Sequence, residues 1–151
     1  MGEVEVRPVR QEELDQALPL IARYQTFYGA EPNIERNRRF FARFIHPSDD
    51  GVLLGAWVDG ELAGFANLYW FFSSTKAEET VLMNDLFVQD GLRGKGIGRA
   101  LIQSALDETR RGAGHLEWFT APDNATAQRL YDSVPGAGRS MWYAYEIGAE
   151  G

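Results

Sequence analysis

Asn84-Asp85-Leu86-Phe87-Val88-Gln89-Asp90-Gly91-Leu92-Arg93-Gly94-Lys95-Gly96-Ile97-Gly98-Arg99-Ala100-Leu101-Ile102 runs from an apolar strand, through a turn and a glycine-rich basic loop, into a helix. Such a junction gathers backbone N–H groups at a helix N-terminus, where they have no intrahelical acceptors. The helix dipole adds partial positive charge there, which suits phosphate. Gly94, Gly96 and Gly98 remove the Cβ atoms that would hold an anion off the backbone. Arg93, Lys95 and Arg99 concentrate positive charge in a chain whose formal net charge is -7. The lysine is not followed by Ser or Thr, which excludes a Walker loop. Arg99 stands where a dinucleotide loop of the form G-x-G-x-x-G has its third glycine, which weakens a Rossmann reading.

Composition bounds the rest. The 151 residues suit one domain, 1-151, with a proper core. The chain has no cysteine, so disulfides, thiolate metal sites and cysteine nucleophiles are excluded. His46 and His115 are far apart and have no carboxylate at ligand spacing, so neither a metal site nor a triad is expected. No apolar run approaches a membrane span or a signal segment, and a cytoplasmic protein with no membrane partner is expected. The acidic balance argues against nucleic acid and favours a small cationic ligand.

Outward from the loop, alternating Val4, Val6 and Val9 predict a short first strand. Leu14, Ala17, Leu18, Ile21, Gln25 and Tyr28 lie near one helical face, with Pro19 predicting a kink or two short helices. A second helix is expected from Asn33 to Ile45, with Arg36, Arg38, Arg39 and Arg43 on a solvated face. Val52 to Val58 and Leu62 to Phe72 flank Asp59-Gly60, a strong type I′ hairpin signal. Thr80 to Gln89 reads as a strand and Gly96 to Arg111 as a helix. His115 to Thr120 reads as a strand, Asn124 to Ser133 as a helix and Ser140 to Ile147 as a last strand. The order β-α-α-β-β-β-α-β-α-β describes an α/β fold. Its mixed sheet, mostly antiparallel, lies between helices on both faces.

The pattern Arg93-x-x-Gly96-x-Gly98 resembles the Q/R-x-x-G-x-G/A pyrophosphate loop of the GNAT superfamily of N-acetyltransferases. The element order resembles the three-layer GNAT fold, with its splayed parallel strand pair, over nearly the whole chain. Three segments are similar to the diamine and polyamine branch: Gly64 to Phe72, Asn84-Asp85-Leu86-Phe87-Val88, and Asn124-Ala125-Thr126-Ala127-Gln128-Arg129-Leu130-Tyr131. Two places depart from it. The branch's fourth-strand Glu is Asn84, which cannot take a proton. Its usual Leu-Gly after the tyrosine helix is replaced by Ser133-Val134-Pro135-Gly136-Ala137-Gly138.

The resemblance implies acetyl-CoA as co-substrate, no metal, a small cationic amine as acceptor and a homodimer. It implies that backbone groups from Arg93 to Arg99, including Gly94, Lys95, Gly96, Ile97 and Gly98, hold the phosphates. Leu86, Phe87 and Val88 would meet the pantetheine arm, and Asn124 the pantetheine or pyrophosphate side. Tyr131 would give the departing thiolate its proton. Asp85, the carboxylate within the fourth strand, is a candidate base or substrate anchor, and Asn84 a candidate to orient the amine or a water. Strand alternation puts Asn84 and Asp85 on opposite faces unless a bulge intervenes. Tyr24, Tyr28, Trp70 and Trp142 are candidates to line the acceptor pocket and hold a cation over their rings. The expected activity is N-acetylation of a polyamine, diamine or amino acid by direct attack. A protein or peptide acetyltransferase and a non-catalytic acyl-CoA-binding module are the alternatives.

Overall fold

Residues 2–149 are described by a computed structural model, in which nine elements follow one another. They are β1 Val4–Pro8, α1 Leu14–Phe27, α2 Ile34–Ala42, β2 Gly51–Val58, β3 Glu61–Ser73, β4 Glu78–Val88, α3 Ile97–Thr109, β5 His115–Glu117 and α4 Ala125–Asp132. A single 3-10 turn, Gln11–Glu13, leads into α1. The five strands form one sheet in the order β1-β2-β3-β4-β5. Every pairing is antiparallel except the last, in which β4 and β5 run parallel. Asp59 and Gly60 both have positive φ, 51° and 82°, as the expected I′ turn between β2 and β3 requires.

Alternation along the strands sends two sets of side chains to two faces. Leu53, Trp57, Phe65 and Phe87 pack with Leu14, Ala17, Leu18 and Ile21 of α1 and with Phe41 and Phe44. The other set, including Leu54, Ala56 and Leu68, is buried, as are Ile97, Leu101 and Ala105 of α3. Helices thus cover both faces of the mixed sheet.

Residues up to Phe119 form one compact unit and those from Thr120 a second. The first holds the sheet with α1, α2 and α3. The second holds α4 and its flanking chain. The bounds of the expected domain, Met1 and Gly151, lie outside the described residues.

Three local expectations are corrected. Of the kink or two short helices expected at Pro19, the two short helices are ruled out, because Pro19 lies inside one continuous helix, α1. Its missing N–H removes one ladder bond, and burial of Ala17, Leu18, Leu20 and Ile21 around it holds the helix together. The second helix stops at Ala42, because Phe44 and Ile45 donate to the carbonyls three residues back, Phe41 and Ala42, and tighten the chain into turns. Ser140 to Ile147 is not a strand. A strand needs a partner for its ladder, and the unit from Thr120 contains none.

Candidate active site

The pairing of β3 with β4 shifts register between Asn67 and Leu68. Asn67 faces Asp85 and Leu68 faces Met83, which leaves Asn84 as the extra residue of a β-bulge. Strict alternation would separate Asn84 from Asp85. The bulge instead brings both to one cavity of about 270 Å³, which Tyr24, Gln25, Arg36, Asn37, Phe40, Phe41 and Tyr69 complete. Helices α1 and α2 form its roof. They are tied together by a reciprocal amide pair, in which Gln25 Nε2 donates to Asn37 Oδ1 at 2.9 Å and Asn37 Nδ2 to Gln25 Oε1 at 2.8 Å.

Asp85 is the buried acid of this cavity, 4% exposed. Burial pushes its carboxyl above the usual range, while the Tyr24 hydroxyl and the Asn84 and Asn67 amides pull it part of the way back. Asn84 Nδ2 donates to Asp85 Oδ1 at 2.8 Å. The Asn67 amide, fully buried opposite Asp85, acts on it without a hydrogen bond of full geometry. Burial, and then the charge of Asp85, pushes the Tyr69 hydroxyl up to about 12 and that of Tyr24 higher still. Both phenols therefore stay protonated at neutral pH. Tyr24 itself is wedged between rings, 5.7 Å from Phe65 and 6.0 Å from Phe87 by centroid.

Two other candidate acceptor residues, Tyr28 and Trp70, are not in this lining. Tyr28 is 59% exposed and its ring lies tilted beside that of Tyr24, 5.0 Å away by centroid, outside the cavity lining. Trp70 follows Tyr69 in β3, so alternation turns it to the opposite face. Trp142 belongs to the unit from Thr120 and is 83% exposed. Gln25, Arg36 and Asn37 are cavity residues that the sequence reading passed over. A glutamine on an otherwise apolar helical face was the one available signal.

The glycine loop fits a phosphate ligand. Gly94 and Gly96 adopt left-handed φ of 78° and 86°, and a Cβ at either would meet no atom within 4 Å. Gly96 is the N-cap of α3, and the ladder starts when Ala100 N–H donates to the Gly96 carbonyl. The N–H groups just before it therefore have no intrahelical acceptor. Gly98 lies in the first turn of α3 and contributes only the lack of a side chain. Lys95 and Arg99 are exposed on the same stretch. The Arg93 side chain is engaged elsewhere. Its Nε donates to the Val88 carbonyl at 3.0 Å, it pairs with Asp90 at 3.3 Å and its guanidinium lies 5.3 Å from the Phe87 ring centre.

The parallel pair supplies an open edge. Pairing of β4 with β5 ends at Leu82 opposite Glu117, while β4 continues to Val88. The backbone of Leu86, Phe87 and Val88 is paired on its β3 side and uncovered by β5 on the other. An extended arm with amide groups fits such an edge.

In the second unit, Asn124 caps α4, its Oδ1 accepting from Ala127 N–H at 3.1 Å. Tyr131 is a half-buried residue of that helix. His115 is corrected in one respect. Its Nδ1 lies 2.6 Å from Glu78 Oε1 across the parallel pair, so it does have a carboxylate partner. Among the described residues no three metal-ligating side chains come together, and no helix is long and apolar enough to cross a membrane.

Residues 17–134 match the model of the acetyltransferase (GNAT) family. The chain belongs to that family. It is an acetyltransferase, and the family uses acetyl-CoA. Among relatives of this GNAT chain, an uncharacterised N-acetyltransferase of Bacillus subtilis, YhfO, is 33% identical over 115 residues, 76% of either chain. The D-amino-acid N-acetyltransferase HPA3 of Saccharomyces cerevisiae is 38% identical over 116 residues, 74% of this chain and 71% of its own. A solved structure of a probable acetyltransferase superposes with a TM-score of 0.81 at 26% identity, covering 98% of each chain.

Proposed function

We propose that this acetyltransferase moves the acetyl group of acetyl-CoA to the amine of a small molecule by direct attack, with both substrates bound. The observation that carries the reading is a buried carboxylate, Asp85, in a cavity walled by aromatic rings and roofed by α1 and α2. An alkylamine with a pKa of about 10 must lose a proton before it attacks. Burial raises the proton affinity of Asp85, which makes it a stronger base than a surface aspartate. Asn84 holds the carboxylate by one hydrogen bond and leaves the proton to it. The cavity volume of about 270 Å³ favours a small molecule over a polypeptide. The relative named for D-amino acids supports the same size of acceptor.

Acetyl-CoA supplies the acetyl group as a thioester. Backbone groups from Arg93 to Arg99 are the proposed phosphate site, and those of Leu86, Phe87 and Val88 the proposed site of the pantetheine arm. The N–H of Leu86 or Phe87 would polarise the thioester carbonyl. Asn124 stands as a further cofactor contact and Tyr131 as proton donor to the leaving thiolate. The test is release of free thiol from acetyl-CoA over a panel of polyamines, diamines, amino acids and basic peptides. Saturable release with one of the small amines is expected, and Tyr131→Phe should lower turnover with acetyl-CoA affinity held. Efficient acetylation of the peptides alone would overturn the small-molecule reading, and a Tyr131→Phe enzyme with full turnover would remove that residue's role.

A further inference from the structure

The acceptor cavity holds two opposite charges. Asp85 is buried on the β4 side, and Arg36 of α2 belongs to the same lining. Arg36 has no carboxylate within salt-bridge distance among the described residues, although Arg38 on the same helix pairs with both Glu35 and Asp15. Its side chain donates from Nη2 to the Glu31 carbonyl at 3.0 Å, which steadies the guanidinium and leaves other N–H donors for a ligand. The residue sits in the first turn of α2, where Asn33 caps the helix, so the helix dipole adds to its positive charge. Tyr24, Tyr69 and Phe40 lie in the same lining as these charges.

We infer that the acceptor is an amine that also bears a carboxylate, an amino acid in the chemical sense, with Arg36 binding the carboxylate while Asp85 takes the amine. This rests on the small-amine reading above and narrows it. A polyamine or diamine would bring a second cation towards Arg36, where like charges repel. A zwitterion matches both charges at once. Guanidinium is the side chain suited to this task, because its planar fork donates two parallel N–H groups to the two carboxylate oxygens. Discrimination then comes from attraction at Arg36 for the acid and repulsion there for the diamine.

The experiment compares kcat/KM for thiol release with both enantiomers of alanine, leucine and phenylalanine, their amides, their decarboxylated amines and 1,4-diaminobutane. The wild-type enzyme should prefer an amino acid over its amide and its decarboxylated amine by about 10- to 100-fold, the range for a hydrogen-bonded charge pair. Arg36→Met should collapse that ratio towards one. Arg36→Glu should invert the preference in favour of the diamine. Arg36 is exposed, so both variants should fold, and circular dichroism checks that they do. Equal loss on every acceptor would assign Arg36 a structural role and overturn the inference. A wild-type enzyme that prefers the diamine would overturn it and leave the small-amine reading standing. Release with no small amine at all would overturn both.

Discussion

Asp85 is a carboxyl group that water hardly reaches, and its ionisation has opposite effects on activity and on stability. Its folded proton affinity is raised, so its contribution to stability is fully present below the unfolded pKa and is lost as pH rises through the folded one. Ionising this carboxyl is therefore a cost to the fold. Asp85→Asn keeps the shape and a hydrogen-bonding group and removes the charge. Turnover should fall by about 100- to 10,000-fold, as for a positioned base. The variant should melt at or above the wild-type temperature at pH 7, and that advantage should vanish at acid pH. A melting temperature clearly lowered at neutral pH would show that the ionised carboxylate holds the cavity together. In the wild type, kcat/KM should rise with pH as the same group loses its proton. Asp85 was legible in the sequence as a carboxylate set among apolar strand residues. Its burial and its contact with Asn84 were not, because both depend on the residues of β3 and α1 that surround it.

Two elements carry the proposed site, the bulged strand β4 and the loop before α3. The glycine loop could be read from sequence because its requirement is local. A backbone at φ near 86° needs no distant contact to select glycine at position 96. The bulge could not be read in this way. An extra residue in a strand leaves no mark in its own apolar pattern, and it appears only when β4 is laid against β3. Gly96→Val puts a β-branched residue where L side chains rarely go, and the surrounding space is open, so strain and not collision is the consequence. The loop should rearrange, acetyl-CoA binding should drop below detection by calorimetry, and unfolding should remain cooperative. Unchanged affinity would take the loop out of the cofactor site.

Global stability has an acid limb that one ion pair helps to set. Arg7 of β1 donates through Nη1 and Nη2 to the two oxygens of Glu13, each at 2.8 Å, and its guanidinium lies 3.9 Å over the Trp57 ring. This pairing, helped by the Arg10 N–H and opposed by burial, holds the Glu13 carboxyl down at about 2. A depressed pKa stabilises the fold above the unfolded value and stops doing so as pH falls through the folded one. Glu13→Gln should therefore cost about 1–2 kcal/mol in urea unfolding at pH 7, allowing for its partial exposure, and the difference should fade between about pH 4.5 and pH 2. A gap that persists unchanged at pH 2 would mean that packing and not charge is responsible. At this scale the sequence by itself determined the strand and helix order as far as α4, the I′ hairpin and the glycine loop before α3. Each depends on local backbone preference or on short-range periodicity. Only the tertiary structure decided that Asn84 and Asp85 share a cavity, that Arg36 of a seemingly solvated face joins them, and that Trp70 turns away. It also decided that Ser140 to Ile147, apolar enough for a strand, forms none. These outcomes depend on register and on partners far along the chain, and a single chain read in order does not contain them.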